Sequence, residues 1–330
     1  MRALVTGTSG FVGSAVARRL AADGHEIRVL MRPTSDRRNL AGLEADIVEG
    51  DLAQPDSLKA AVAGCDAVFH VAADYRIWVP DGGASMYRAN VDGTRELIRA
   101  ACAAGVGRIV YTSSVAVLGA SRGAGIADET TVATEAAMVS HYKKSKFLAE
   151  QVAMQLVRDE DAPVVIVNPS APFGPRDIKP TPTGRIVLDA AKGRMPAYLD
   201  TGLNAVHVDD VADGHLLAFE KGEIGERYIL GGDNMTLREI IQTVTDYVGR
   251  TGPWLRLPRA PLYPVAWAAE MVARVTGREP VMTFDALRMA AKHMYYSSDK
   301  AREKLGYAPR PAREALTDSV DWFRENGFLR

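Results

Sequence analysis

The sequence predicts an α/β protein: a Rossmann-type, doubly wound parallel sheet with a smaller, mostly helical C-terminal lobe. Three observations predict this fold class. Strand and helix patterns alternate through the first half of the chain, a glycine-rich turn follows the first strand, and the pattern changes after Asn168. Strands that alternate with helices form parallel βαβ units, wound right-handedly into one sheet. A chain of 330 residues is long enough for such a sheet and one further lobe.

The predicted strands occupy residues 2–6, 26–31, 45–48, 67–71, 108–112 and 164–168, and the predicted helices residues 10–22, 55–63, 85–104 and 138–158. In the first helix, apolar residues recur at helical spacing at Val12, Val16 and Leu20. Prolines at 169, 172, 175, 180 and 182 then indicate loop. Further helices are predicted at 208–220, 236–248, 261–276 and 311–325. We therefore predict a domain boundary at 168, with residues about 205–230 returning to the core.

Composition narrows the function classes. The net charge of −1 gives no reason to expect a nucleic-acid partner. The most apolar stretch, 260–275, contains Glu270 and Arg274, so we expect no transmembrane segment. We also expect no signal peptide at the N-terminus. Cys65 and Cys102 have no ligand-like spacing, so we predict no metal site and a reducing, cytoplasmic location.

The turn after the first strand has the composition of a dinucleotide-binding loop. Its glycines let backbone N–H groups approach a pyrophosphate, and the start of the following helix adds partial positive charge. The spacing is G-x-x-G-x-x-G, and the alternative is a glycine-rich turn that binds nothing. The position of the turn between a strand and a helix favours the binding of a dinucleotide. The predicted cofactor-binding residues in the loop and the first helical turn are Gly7, Ser9, Gly10, Phe11, Val12 and Gly13.

The end of the second strand indicates which dinucleotide is bound. NAD-binding proteins usually carry a carboxylate there, for the ribose 2′-hydroxyl. Here Arg32 follows the strand, with Arg37 and Arg38 close behind. A guanidinium suits a 2′-phosphate, so the sequence favours NADP(H) over NAD(H). The alternative is that these arginines are ordinary solvated charges.

The ends of two further strands supply candidate cofactor contacts, because open α/β sheets bind ligands at the carboxyl ends of their strands. Asp51 and Leu52 follow the third strand, where they could hold the adenine. Val71, Ala72 and Ala73 follow the fourth, where small side chains would let a cofactor lie close.

The predicted catalytic residues are Ser114, Tyr142 and Lys146. Tyr142 and Lys146 are four residues apart on a predicted helix and so project from the same face. A nearby ammonium favours the phenolate and lowers the pKa of a tyrosine. Ser114 ends the run Tyr111-Thr112-Ser113-Ser114 after a strand, and its hydroxyl could polarise a substrate carbonyl. Alone, the Tyr/Lys pair could be a surface pair; its combination with the glycine loop favours a catalytic role.

These motifs resemble the extended short-chain dehydrogenase/reductases, also called the NAD-dependent epimerase/dehydratase family. The resemblance covers nearly the whole chain. Within the family, the chain is most similar to the branch of dihydroflavonol 4-reductases and to the proteins named hopanoid-associated sugar epimerases. The stretches that carry this closer similarity are 31–40, 70–75 and 168–184, extended by 197–202 and 207–212.

The resemblance implies roles for individual residues. Ser114 matches the catalytic hydroxyl, Tyr142 the acid/base and Lys146 its partner. Arg32 and Arg38 match residues that bind the 2′-phosphate. The resemblance also implies that several residues contact the cofactor near its nicotinamide. They are Thr112, Pro169 and Ser170, together with Tyr142 and Lys146. Asn90 matches a mostly structural position, and His207 one that could be architectural or face the cleft. A homodimer through helices 85–104 and 138–158 is implied as well.

Three functions stay open at this stage. The first is an NADPH-dependent reductase of a carbonyl, on a lipid-linked or polycyclic substrate. The second is an epimerase that oxidises and re-reduces a sugar. Sugar-nucleotide epimerases usually carry an arginine just before the matched His207 signature, but Thr201–Val206 contains no basic residue. The third is a redox sensor without turnover, which typically lacks the Tyr/Lys pair.

The second lobe contains large apolar residues that we expect mostly in its core or at a lobe interface. The alternative is an apolar substrate wall or a peripheral membrane contact. They are Trp254, Leu262, Tyr263, Val265, Trp267, Met271 and Val272.

Overall fold

The protein was analysed as a computed structural model, which describes residues 1–76, 81–119, 125–131, 133–138, 140–276 and 284–329. A seven-stranded sheet, parallel throughout, forms the centre of the first half. Its spatial order is β3-β2-β1-β4-β5-β6-β10, and the strands are β1 (Arg2–Thr6), β2 (Glu26–Met31), β3 (Asp46–Glu49), β4 (Ala67–His70), β5 (Arg108–Thr112), β6 (Val164–Pro169) and β10 (Arg227–Leu230). The predicted Rossmann-type fold class is confirmed.

Helices cover both faces of this sheet. One face carries α1 (Phe11–Ala22), α7 (Val208–Lys221) and α11 (Asp299–Leu305), and the other carries α2 (Pro55–Val62), α4 (Gly93–Ala103) and α5 (His141–Glu160). Most of these strands bury both faces, as parallel strands between helix layers do, whereas the edge strand β3 is largely exposed. The sheet also includes β10, which comes from beyond residue 168 and pairs with β6.

The predicted helix at 85–104 is interrupted. It begins as α3 (Ala84–Tyr87), passes through a π-helical turn at Arg88–Asp92 and continues as α4. Such turns are uncommon and often occur at functional sites. The predicted helix at 138–158 begins at His141 as α5, because the Ser140 side chain accepts a hydrogen bond from the Lys143 N–H and caps it.

The remaining elements form the second lobe. Its small sheet is centred on β9 (Gly202–His207), which pairs with β7 (Ala171–Phe173), β11 (Asp233–Thr236) and β13 (His293–Met294). A second pair joins β8 (Ala197–Leu199) to β12 (Leu255–Leu257). An apolar core forms between α6 (Pro182–Ala191), α8 (Leu237–Tyr247) and α12 (Ala312–Glu325). The other helices are α9 (Leu262–Thr276) and α10 (Phe284–Met289).

The expectation of a buried apolar cluster in this lobe is wrong for five residues. Leu262 and Tyr263 are partly buried. Four of the others lie on the surface because α9 turns one apolar face outward, and Trp254 is exposed in the segment before β12. The exposed residues are Trp254, Val265, Trp267, Met271 and Val272. Among the helices that the structure describes, none combines the length and hydropathy required to cross a membrane.

Candidate active site

The glycine-rich loop lies between β1 and α1 and packs directly on the end of β4. Gly7 has φ +78°, and a Cβ there would approach the Ala72 backbone to 2.8 Å. At Gly13 a Cβ would come 2.2 Å from the Gly7 carbonyl oxygen. Both positions therefore exclude any side chain. The Thr6 hydroxyl connects the glycine-rich loop to the end of β4, since it accepts hydrogen bonds from the N–H groups of Val71 and Ala72 at 3.1 and 3.0 Å.

The first helical turn of α1 leaves backbone donors for a ligand. Its N-cap, Gly10, has no side chain to cap it, and no acidic residue stands in that turn. Phe11 is buried beneath the loop, whereas Ser9 and Val12 are partly exposed. The uncapped N–H groups and the positive end of the helix dipole together favour an anion here.

Three buried hydroxyls around the strand ends also fit a dinucleotide. The Oγ atoms of Ser113 and Ser170 and the Oγ1 of Thr8 have no hydrogen-bond partner among the described residues. Buried polar groups in proteins are nearly always paired, so an unpaired group calls for an explanation. Thr8 lies in the glycine loop, and Ser113 and Ser170 follow β5 and β6. Hydroxyls at these strand ends suit the phosphate and amide groups of a nicotinamide dinucleotide.

The segment after β2 places the two predicted arginines differently. Arg38 forms an ion pair with Asp36, at 2.7 Å from Nη2 to Oδ2. Hydrogen bonds from Arg38 hold the pKa of the Asp36 carboxyl at about 2. Arg32 lies exposed at the strand end, and no residue that the structure describes forms an ion pair with its side chain. Arg32 is therefore the better placed of the two to meet a phosphate.

Asn39 is a residue that the motif analysis did not single out as part of the site. Its buried amide nitrogen lies 3.3 Å from the carbonyl oxygen of Ser9, 3.2 Å from that of Gly10 and 3.2 Å from that of Arg176. It thereby ties the segment after β2 to the glycine loop and to the loop after β7. No sequence motif indicates this, because all three acceptors are backbone atoms from distant segments.

The ends of β3 and β4 contribute smaller features. Asp51 is partly exposed, and its carboxylate accepts from the Ala53 N–H at 2.9 Å, while Leu52 is buried against Gly93. Beyond Ala72, Ala73 is partly buried at the start of the loop that leads to Asp74.

Ser114 and Tyr142 are brought together by the fold. Ser114 follows β5 and caps a short 3₁₀ turn, its Oγ accepting from the Ala116 N–H at 3.1 Å. Tyr142 lies in the first turn of α5, with its phenol close to the Ser114 side chain. Burial raises the pKa of Tyr142, and the interaction with Ser114 only partly opposes this. The phenol is therefore protonated at neutral pH.

Lys146 lies one turn further along α5 and is almost completely buried. Its Nζ donates to the Thr112 carbonyl oxygen at 2.6 Å and to the Tyr111 hydroxyl at 3.2 Å. Burial lowers the pKa of Lys146 to about 8, with Glu150 acting in the opposite direction. The expectation that this ammonium lowers the pKa of Tyr142 is wrong for this structure, because Lys146 contacts β5 instead of the phenol and burial dominates at Tyr142.

A second set of contacts holds the Ser114 segment from below. Asn168 Nδ2 donates to the Ser114 carbonyl oxygen at 3.1 Å and to Glu150 at 2.9 Å. Arg227 of β10 completes the set with an ion pair to Glu150 at 3.1 Å. Asn90, in the π turn, similarly joins the loop at Asp74 to α5. These side chains orient the candidate catalytic segments rather than face the cleft.

Thr112, Pro169 and Ser170 border the same site. The Thr112 hydroxyl is hydrogen-bonded to His215 Nε2 at 2.8 Å, so only its backbone carbonyl serves Lys146. Pro169 ends β6 and Ser170 follows it, with the Ser170 N–H donating to the Leu230 carbonyl oxygen at 3.2 Å.

His207 has an architectural position. It caps α7, where its Nδ1 accepts from the Asp209 N–H at 3.0 Å, and its Nε2 lies 3.2 Å from Asp318 of α12. The imidazole is buried and joins two helices of different layers.

The loops after β4 and β7 bring polar groups from both lobes together. The pKa of Tyr75 is raised by burial and then by the negative charges of Asp177 and Asp74, which places these groups around one phenol. Asp177 is buried, and it accepts hydrogen bonds from the N–H and hydroxyl of Thr181 at the start of α6. Burial raises the pKa of Asp177 to about 6.

Fold and site together define a nicotinamide-dinucleotide enzyme of the extended short-chain dehydrogenase/reductase type. A sequence profile of the NAD-dependent epimerase/dehydratase family matches residues 3–231, and the chain belongs to this family. No metal-binding group of three or more His, Cys, Asp or Glu occurs in the part of the chain that the structure covers.

Individual relatives match the chain from end to end. A dihydroflavonol 4-reductase-like protein of Synechocystis is 42% identical over 99% of this chain and 95% of its own. Sterol demethylase protein B of Methylococcus capsulatus is 34% identical over the full length of both. The crystal structure of gox2253 superposes with a TM-score of 0.89 at 54% identity, over 99% of each chain.

Proposed function

We propose that the protein is an NADP(H)-dependent reductase of a carbonyl compound. The observation that carries the proposal is the proximity of the Ser114 and Tyr142 side chains at the carboxyl edge of the sheet, in a fold whose glycine loop has no room for side chains at Gly7 and Gly13. To reduce a carbonyl, a protein must supply a proton donor and a hydroxyl that polarises the carbonyl, and both must reach the carbonyl oxygen.

Each residue has a distinct task in this proposal. When bound, the reduced nicotinamide supplies the hydride. Ser114 donates a hydrogen bond to the substrate oxygen, and Tyr142 transfers its proton to the same oxygen as negative charge develops there. Because burial keeps Tyr142 protonated at neutral pH, it is suited to act as an acid in this direction. Lys146 is held against β5 by its hydrogen bonds to Tyr111 and the Thr112 carbonyl oxygen, and its remaining N–H group would bind the nicotinamide ribose.

The choice of NADP(H) rests on the end of β2. Arg32 is exposed and positioned where a 2′-phosphate lies in this fold, and no carboxylate occupies the strand end itself. Asp36, which follows in the same segment, forms an ion pair with Arg38. Cells keep this cofactor pool reduced, which fits net reduction.

The proposed substrate is apolar, of the polycyclic lipid kind found in sterols and hopanoids. The name of the Methylococcus relative refers to a sterol, and that of the Synechocystis relative to a dihydroflavonol. Position 204, in the segment where sugar-nucleotide epimerases usually carry an arginine, holds Asn204. Its amide donates to the carbonyl oxygens of Gly232 and Tyr296 and to Asn234. That segment therefore offers no cation for a diphosphate.

The test is stoichiometry. We expect one NADPH to be consumed per carbonyl reduced, measured by absorbance of the reduced nicotinamide against product by mass spectrometry, with polycyclic ketones as substrates. Calorimetry with UDP-sugars should show little binding. If the purified protein interconverts a nucleotide sugar without net NADPH consumption, it is an epimerase and the reductase proposal fails. Cofactor binding with no turnover on either class would favour a sensor.

Two partner proposals accompany the function. By the family resemblance, α4 and α5, adjacent on one face of the sheet, would form a homodimer interface. The outward face of α9 would contact a membrane surface peripherally: Trp267 is 58% exposed, and the nearby Trp254 72%. The sequence from 250 to 292 has seven basic and three acidic residues, which suits anionic lipid. Both cysteines are free, which fits the proposed cytoplasmic location.

One sedimentation experiment tests both partner proposals. Without vesicles we expect the mass of two chains. With phosphatidylglycerol vesicles we expect co-sedimentation that Trp267→Ser weakens, whereas uncharged phosphatidylcholine vesicles retain less protein. A one-chain mass contradicts the dimer, and equal sedimentation of both variants contradicts the α9 contact.

A further inference from the structure

A set of buried polar side chains runs from the glycine loop to Lys146. Hydrogen bonds join Thr6 to His70 and His70 to Thr94, Thr94 lies close enough to Tyr111 to influence its pKa, and the Tyr111 hydroxyl accepts from the Lys146 ammonium at 3.2 Å. All five side chains are buried. The set connects three neighbouring strands to α4 and α5, so it joins the two halves of the proposed cofactor site.

The direction of each bond follows from counting protons. The Thr94 hydroxyl donates to the Asn90 carbonyl oxygen at 2.6 Å, so its single proton is used. His70 Nε2, 2.9 Å from Thr94 Oγ1, must therefore carry a proton and donate it. His70 Nδ1 must then accept, and the Thr6 hydroxyl donates to it at 3.0 Å. The two N–H groups of Val71 and Ala72 fill the remaining acceptor positions of Thr6.

The same counting bears on Tyr111. Because the Thr94 proton is already donated to Asn90, the Thr94 hydroxyl can act toward the neighbouring phenol only as an acceptor. The lone pairs of the phenol oxygen are therefore free to accept from Lys146. The Tyr111 ring also lies under the ammonium, with Nζ 4.8 Å from its centroid.

We propose that Tyr111 is a positioning residue, oriented by Thr94 and a neutral His70, that fixes the direction and charge of the Lys146 ammonium. This inference rests on the proposed function. An ammonium has three N–H donors. Tyr111 and the Thr112 carbonyl oxygen take two of them, which leaves the third to point away from β5, toward the cleft. Without the Tyr111 hydroxyl, one donor would lose its buried partner and the charged form would become less stable.

The titratable groups around Lys146 come from three elements: His70 from β4, Tyr111 from β5, and Tyr142 and Glu150 from α5 itself. Burial lowers the pKa of His70 to about 3, so His70 stays neutral at neutral pH. Glu150 is the one group here that favours the ammonium electrostatically. Since the pKa of Lys146 is about 8, a small further loss of stabilisation changes its charge within the working pH range.

The experiment removes the hydroxyl and keeps the ring. In Tyr111→Phe, the pKa of Lys146 should fall by about one unit, a tenfold change in its deprotonation constant. It is measured in the cofactor-free protein by NMR of ¹³Cε-labelled lysine, with the Lys146 signal assigned from Lys146→Met. This titration needs neither substrate nor turnover, so its result is independent of whether the proposed reaction is correct. If turnover is found, the decrease in rate at alkaline pH should shift to lower pH by the same amount.

Tyr228→Phe is a matched control. Tyr228 is equally buried, its hydroxyl accepts from the Glu223 N–H, and the Lys300 Nζ also lies 4.8 Å from its ring centroid. It should leave the Lys146 titration unchanged. Thr94→Val, which frees the Tyr111 hydroxyl to turn, should shift the titration in the same direction by less, and it serves if Tyr111→Phe does not fold. The proposal is overturned if the pKa of Lys146 is unchanged in folded Tyr111→Phe. If Tyr111→Phe does not fold, an unchanged Lys146 pKa in Thr94→Val overturns it instead.

Discussion

Replacing Tyr142 by phenylalanine is expected to reduce turnover by about 10²–10⁴-fold, the usual contribution of a general acid. NADPH affinity should stay close to that of the unmodified protein, because the aromatic ring still packs in the first turn of α5. The hydroxyl is the only group removed, and with it the interaction with Ser114 and the transferable proton. Turnover is measured by NADPH oxidation and affinity by cofactor fluorescence.

Tyr87→Phe controls for damage to the start of α5. The Tyr87 hydroxyl is hydrogen-bonded to Nδ1 of His141, the residue directly before Tyr142, at 3.2 Å. Its loss should leave turnover nearly unchanged. In the unmodified enzyme the rate should fall as pH rises through about 8, because Lys146 then loses its proton. Near-full activity of Tyr142→Phe would exclude the proposed acid and require another proton donor.

The local elements of this site could be predicted from sequence because they depend on short-range chemistry. The glycine loop sits between a strand and a helix with recognisable periodicity, and the strand bounds at 2–6, 26–31 and 108–112 agree with the structure. The Tyr142 and Lys146 spacing correctly placed both residues on one helix. Residue type, spacing and period are enough for such features.

The contacts that orient the site could not be predicted, because they join segments far apart in sequence. Lys146 reaches β5, 34 residues away, and its acceptor is a backbone carbonyl that any residue could supply. Asn39 binds three carbonyl groups, one of them 137 residues away. The exposed apolar face of α9 could not be predicted for a different reason. Its apolar residues recur as those of a buried helix do, and only the tertiary structure shows which side faces outward.

Replacing Arg32 by aspartate is expected to weaken NADPH binding by about 10–100-fold and to narrow or reverse the preference over NADH. A charge-assisted hydrogen bond contributes roughly 1.5–3 kcal/mol, and about 1.4 kcal/mol is a factor of ten in affinity. The new carboxylate would repel a 2′-phosphate but could accept from a ribose 2′-hydroxyl. NADH binding should therefore stay equal or improve. Fluorescence titration of both cofactors measures the two affinities.

The loss of NADPH affinity should be specific to charge changes at the end of β2. Lys59→Asp makes the same change in net charge on α2, where Lys59 is exposed and lies 3.5 Å from Asp56, and it should alter neither affinity. Arg38→Ala should weaken NADPH binding less than Arg32→Asp, because Arg38 is already paired and its main effect would be to unmask Asp36. Equal affinities for NADPH and NADH in the unmodified protein would show that Arg32 meets no phosphate. The preference would then have to be sought elsewhere, and the argument from a reduced cofactor pool to net reduction would lose its basis.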